Sequence, residues 1–143
     1  MSESQENNVQ PADFSSENYE SMLNVATDQY TEGNYVEVRR ILTGLETANG
    51  ADPRIYKLRG SCFLLEGNSE DAEKAYEMAY SIEPDDMYTL VALGEMRLQS
   101  LQLEAAAPFF ERLFALDPEG QHPAANRGRQ LVQDFHSKFS GSK

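Results

Sequence analysis

The chain is poor in the side chains that most chemistry needs. Its 143 residues contain one cysteine, Cys62, and two histidines, His122 and His136. A lone thiol closes no internal disulfide, and with no second soft ligand nearby it builds no metal site. Cys62 stands among Ser61, Phe63 and Leu64 without a neighbouring cation, the setting of a buried inert thiol rather than a nucleophile. The histidines show no metal-ligand spacing and are expected as solvated surface residues. Carboxylates such as Asp71 and Glu73 are explained by a solvated helix face without acid–base work. No strand pattern is present, so no glycine-rich phosphate loop can follow one. These absences predict a non-enzymatic protein with no cofactor and no metal.

Positive charge is also scarce. Twelve Lys and Arg against 24 Asp and Glu leave a net charge of −12, and no basic residue precedes Arg39. Such a surface repels phosphate backbones and anionic lipid, which argues against nucleic acid and membrane surfaces as partners and favours a basic or apolar protein. No apolar run approaches membrane-spanning length. The opening "MSESQENNVQPADFSSE" has neither the basic head nor the apolar stretch of a secretory signal. Cytoplasmic residence is the expectation.

What is present is helical periodicity. Residues 1–16 are polar and aperiodic, the pattern of a disordered acidic tail. From there apolar residues recur at helical spacing, as in Met22, Val25, Ala26 and Tyr30, or Val38, Ile41, Leu42 and Leu45. Brief breaks at "EGN" (Glu32 to Asn34 and Glu66 to Asn68), "NGADP", "EPDD" and "DPEG" separate the helices, and short helices joined so closely pack as antiparallel pairs. The breaks and the small residues recur at an interval of 34: Gly33 and Gly67, Gly60 and Gly94, Ala72 and Ala106, Tyr76 and Phe110, Pro84 and Pro118. A glycine inside a helix costs roughly 1 kcal/mol relative to alanine. Gly60 and Gly94 therefore predict close helix crossings, with Phe63 and Tyr76 filling the space beside them.

This pattern resembles the tetratricopeptide repeat, most fully in the middle unit, where Tyr56, Gly60, Phe63, Gly67, Ala72, Tyr76, Ala79 and Pro84 stand at the expected offsets. The expected fold is an all-α solenoid of three helical-hairpin repeats (residues 19–52, 53–86 and 87–120) closed by a capping helix at 121–139, with 17–139 as the domain and 140–143 as a flexible tail. Pro108 is expected to interrupt the second helix of the third repeat, and Pro123 suits the first turn of the cap.

The resemblance implies a concave face lined by the first helix of each pair. The groove positions it names are Leu23, Thr27 and Tyr30 with Glu20, then Arg54, Lys57, Ser61 and Leu64, then Tyr88, Val91, Glu95 and Leu98. Such a mixed surface suits an extended or helical segment of another protein, with apolar anchors in pockets and polar groups held by Arg54, Lys57 or Tyr30. Tetratricopeptide co-chaperones that grip acidic C-terminal tails carry cations and asparagine at set positions. Here those positions hold Leu23, Thr27, Leu58, Tyr88 and Ala92, so a two-carboxylate clamp is not expected. Size, acidity and repeat number are also similar to the tetratricopeptide chaperones of bacterial type III secretion, most visibly in "GNYVEVRRIL", "LRGSC" and "LGEMRL". That resemblance implies a chaperone holding a hydrophobic export substrate, as a monomer or homodimer. An adaptor or scaffold subunit of a pilus, motility or secretion complex is the alternative.

Overall fold

The computed structural model describes residues 15–140, so the expected tails lie almost wholly outside the described residues. Among the described residues every regular element is an α-helix: α1 (Ser16–Thr31), α2 (Tyr35–Ala48), α3 (Pro53–Leu65), α4 (Ser69–Ile82), α5 (Met87–Gln99), α6 (Leu103–Leu116) and α7 (Pro123–Ser140). Ser15 and Ser16, read from sequence as the end of the tail, instead start α1: the Ser15 hydroxyl accepts the Asn18 backbone N–H at 3.2 Å. The chain divides into two compact units, the first ending at Ala75 and the second beginning at Tyr76, a boundary inside α4.

In the first unit α2 packs on both α1 and α3. Ala26 of α1, Val38, Leu42 and Leu45 of α2 and Ile55 of α3 are fully buried, each large aliphatic contributing about 1.5–3 kcal/mol by leaving water. Asp52 caps α3, accepting the Arg54 backbone N–H at 3.0 Å, and Pro53 occupies the first helical position, where a missing N–H costs nothing.

In the second unit α5 packs on α6, and α7 lies against both. Leu90, Val91, Ala106, Phe110, Leu113, Ala124 and Ala125 form its core. The expected close crossing is present here. A Cβ added at Gly94 would stand 2.8 Å from the Phe110 ring, and one at Gly128 would stand 2.6 Å from Leu113. Glycine therefore lets the Phe110 ring and α7 approach as they do. The helix α6 runs unbroken through Pro108, contrary to the expected interruption. The proline lies one turn in, and the carbonyl that loses its partner belongs to exposed Glu104, within reach of water.

Three helices end in the same way, 34 residues apart. The N–H of Gly33 bonds Tyr30 O and that of Asn34 bonds Gln29 O. Gly67 and Asn68 do the same to Leu64 and Phe63, and Leu101 and Gln102 to Leu98 and Arg97, all at 2.8–3.0 Å. This paired pattern places one residue in the left-handed region, and φ is +85° at Gly33, +80° at Gly67 and +59° at Leu101. Glycine accepts that geometry freely, whereas a leucine pays about 1–2 kcal/mol for it.

Candidate partner-binding surface

The groove positions of the first unit lie on α1 and α3. Leu23 is buried in the core rather than presented to a guest. Thr27 is exposed, and its hydroxyl donates to the Leu23 carbonyl at 3.0 Å, a bond within its own helix. Tyr30 is half-buried against Tyr35, with ring centroids 5.7 Å apart. Arg54, expected to hold a guest, is already held itself. Its guanidinium bonds both Glu20 carboxylate oxygens at 3.0 and 2.8 Å and reaches Asp52 at 2.7–3.2 Å. The Tyr19 hydroxyl donates to the same Asp52 carboxylate at 2.9 Å.

Electrostatics in this cluster follow from the contacts. Burial, reinforced by the bond to Asp52, pushes the Tyr19 hydroxyl well above the ordinary phenol range. Burial works to raise the Asp52 carboxyl as well, but the Arg54 guanidinium and the Tyr19 hydroxyl more than offset it and hold it below the usual carboxylate range. Glu20 and then Asp52 raise Arg54 beyond its already high value. The four residues form a closed network. Of the remaining positions Lys57 and Ser61 are half-buried, and Leu64 is exposed at the end of α3.

The second unit presents a different face. Tyr88 at the start of α5 is 54% exposed and meets His122 edge-on at 5.0 Å. Val91 belongs to the core. Glu95 bonds Arg127 of α7 at 2.8 Å, tying the two helices together. Leu98 packs partly against the core and partly lines a trough of about 350 Å³ between the end of α5 and α7. Leu101, Phe135 and Phe139 also line it. Of these, Leu101 carries no sequence signal of its own. Its turn contains neither glycine nor proline, and only the interval of 34 from Gly33 and Gly67 signals it.

Two expectations about reactive residues are refined. Cys62 is fully buried, and burial pushes its thiol up to about 11. His122 is not merely solvated: its Nδ1 accepts the Ala124 N–H at 3.0 Å at the start of α7. Asp117 beside it accepts the N–H groups of Gln121 and His122, and these backbone bonds hold its carboxyl low. Among the described residues no group of three His, Cys, Asp or Glu could hold a metal ion, and no helix is long and apolar enough to cross a membrane.

This geometry is a known one. SycD, the type III secretion chaperone of Yersinia enterocolitica, solved with a peptide of the translocator YopD, is similar over 88% of this chain and 98% of its own, with a TM-score of 0.75 and 20% identity. PcrH, a Pseudomonas aeruginosa protein solved in complex with the chaperone binding region of PopD, is similar over 91% of this chain and 98% of its own, with a TM-score of 0.77 and 19% identity. The first tetratricopeptide domain of RPAP3 bound to an HSP90 peptide gives a TM-score of 0.70 and 21% identity, over 86% of this chain and 97% of its own. The fold is that of the tetratricopeptide repeat. At these identities the likeness speaks for the fold alone. No protein-family model matches the chain, and no curated protein matches it by sequence.

Proposed function

We propose that the chain is a non-enzymatic protein-binding tetratricopeptide module that holds a segment of a partner protein, each unit offering its own surface: the exposed faces of α1 and α3 in the first and of α5 in the second. Its task on this reading is that of a chaperone for a hydrophobic export substrate. The observation that carries the reading is the exposure of large apolar and aromatic side chains, Leu64 and Tyr88, on the first helices of their pairs. Isolated exposed leucines are ordinary, but a 54% exposed tyrosine at the start of α5 offers a rigid, low-entropy anchor for a peptide. That SycD and PcrH, with the same fold, were solved holding partner segments supports the chaperone role. The RPAP3 domain holds an acidic peptide, SRMEEVD. The corresponding positions here offer Leu23, Thr27, Leu58, Tyr88 and Ala92, and Arg54 is occupied, so an acidic tail is not the guest.

The test is a tagged pull-down from the native cell, with the partner identified by mass spectrometry and recaptured by variants. Leu64→Asp and Tyr88→Ala should each weaken capture while the circular-dichroism melt stays as in the parent chain. Normal capture by both folded variants would refute the binding faces. A captured partner that stays soluble without this chain would favour the adaptor role over the chaperone.

A further inference from the structure

The turn between α2 and α3 begins with Asn49 and Gly50, both exposed and both outside the helices. The Asn49 carboxamide accepts the Ala51 N–H at 3.1 Å through its oxygen, while its NH2 group makes no hydrogen bond among the described residues. Other asparagines are better held. The side-chain nitrogen of Asn34 bonds Gln29 at 2.8 Å, that of Asn68 bonds Asp71 at 2.7 Å, and that of Asn126 bonds the Gly120 carbonyl at 2.9 Å. Asn18 and Asn24 lie inside α1, where the following N–H is engaged in the helix ladder.

An asparagine followed by glycine is prone to cyclise, because glycine has no side chain to shield its own nitrogen. Ring closure needs the Asn49 Cβ and the Gly50 nitrogen on the same side of the Cα–C bond. With ψ at +87° they stand nearly opposite, so the peptide plane between the two residues must first turn over. That plane is free to turn. Neither the Asn49 carbonyl nor the Gly50 N–H is hydrogen-bonded among the described residues, and glycine tolerates the φ that the flip imposes. The groups on either side can stay anchored, the Asn49 N–H to the Leu45 carbonyl at 2.8 Å and the Gly50 carbonyl to the Tyr56 hydroxyl at 2.7 Å. Only the bond from Ala51 to the carboxamide has to be released.

We propose that Asn49 is a self-modification site, deamidating through a cyclic imide while the chain stays folded, and that the product weakens the junction of α2 and α3. The Gly50 nitrogen, losing its proton, attacks Asn49 Cγ. The bond from Cγ to the amide nitrogen breaks and ammonia leaves. Water then opens the imide at either carbonyl, giving aspartate or an isoaspartate whose backbone carries one extra methylene. The new carboxylate lies at the C-terminal end of α2, where the helix dipole disfavours it. The two arginines of this corner are already taken, Arg59 by Glu46 and Arg54 by Asp52 and Glu20.

Peptide mapping by mass spectrometry tests the site on the full folded chain, held in mildly alkaline buffer below its melting transition. The reference is the end-blocked peptide TANGADP, which is free of the fold. Conversion at Asn49 should run within about thirtyfold of the peptide rate, the effect of one hydrogen bond and a turned plane. Asn34, Asn68 and Asn126 should convert at least about tenfold more slowly than Asn49. Isoaspartate should exceed aspartate in the product, the mark of the imide. Gly50→Ala should slow conversion by about tenfold or more, and if that variant does not fold, the isoaspartate share carries the test. The modified chain, isolated by chromatography, should melt about 2–5 °C below the parent. A rate below the thirtyfold window, aspartate as the sole product, or equal conversion at Asn68 overturns the site. Undiminished stability of the modified chain overturns its consequence.

Discussion

The two units differ in which side chains they leave to solvent. In the first, the conspicuous polar residues satisfy one another: Tyr19, Glu20, Asp52 and Arg54 close a network that also caps α3. In the second, the arginines are again bonded internally, but the exposed apolar side chains include aromatics: Tyr88 and Phe139 are more than half exposed beside Leu101, whereas among the described residues of the first unit those exposed to that degree are the aliphatic Val36 and Leu65. The lesson is that charge on a repeat face is a poor guide to binding, because an ion can be consumed by its own neighbours. Exposed apolar side chains have no such internal answer, so they mark the surface still available.

That contrast can be broken by substitution. Asp52→Ala should have the largest effect in the first unit. It removes the α3 cap, leaves the buried Tyr19 hydroxyl without its acceptor and frees Arg54, at a cost of about 2–4 kcal/mol measured by chemical denaturation. The same group gives the pH dependence its sign. A carboxyl held low in the folded state contributes stability that is fully present above its ordinary value of about 4 and is lost as pH falls through the lower folded value. The parent chain should therefore lose stability on acidification below about pH 4, and Asp52→Ala should lose less over the same range.

Next in size is Gly94→Leu. With the Phe110 ring already within contact of any added carbon, overpacking should cost about 1–3 kcal/mol and lower the melting temperature by several degrees. An unchanged melt would show that the α5–α6 crossing can open without penalty, and the close-contact account of the repeat glycines would fail. The smallest effect belongs to Glu20→Gln. Its ion pair with Arg54 faces solvent, so the melting temperature should hardly move, and any change should vanish in high salt. A large shift would mean that the first-unit network acts as one unit rather than as a buried centre with an exposed arm.

The helices and the close crossing at Gly94 were legible because small residues and breaks recur at a fixed interval, and few side chains can replace glycine where a ring presses on the backbone. The turn after α5 was not legible. Leucine at position 101 carries no breaker signal, and the hydrogen bonds that impose its geometry come from Leu98 and Arg97 rather than from its own chemistry. The fate of Arg54 was hidden for a related reason. Composition marks it as a spare cation, and only the fold shows that Glu20 stands on the adjacent helix in the same register, 34 residues earlier. His122 likewise reads as a surface histidine until Ala124 is seen to bond it.

Cys62 has a practical consequence. Sealed from solvent and protonated at neutral pH, it cannot be alkylated until the structure around it opens. Its labelling rate by a maleimide is thus a clock for local opening of the first unit. On the intact chain it leaves a dark background, against which one cysteine engineered elsewhere can carry a dye alone.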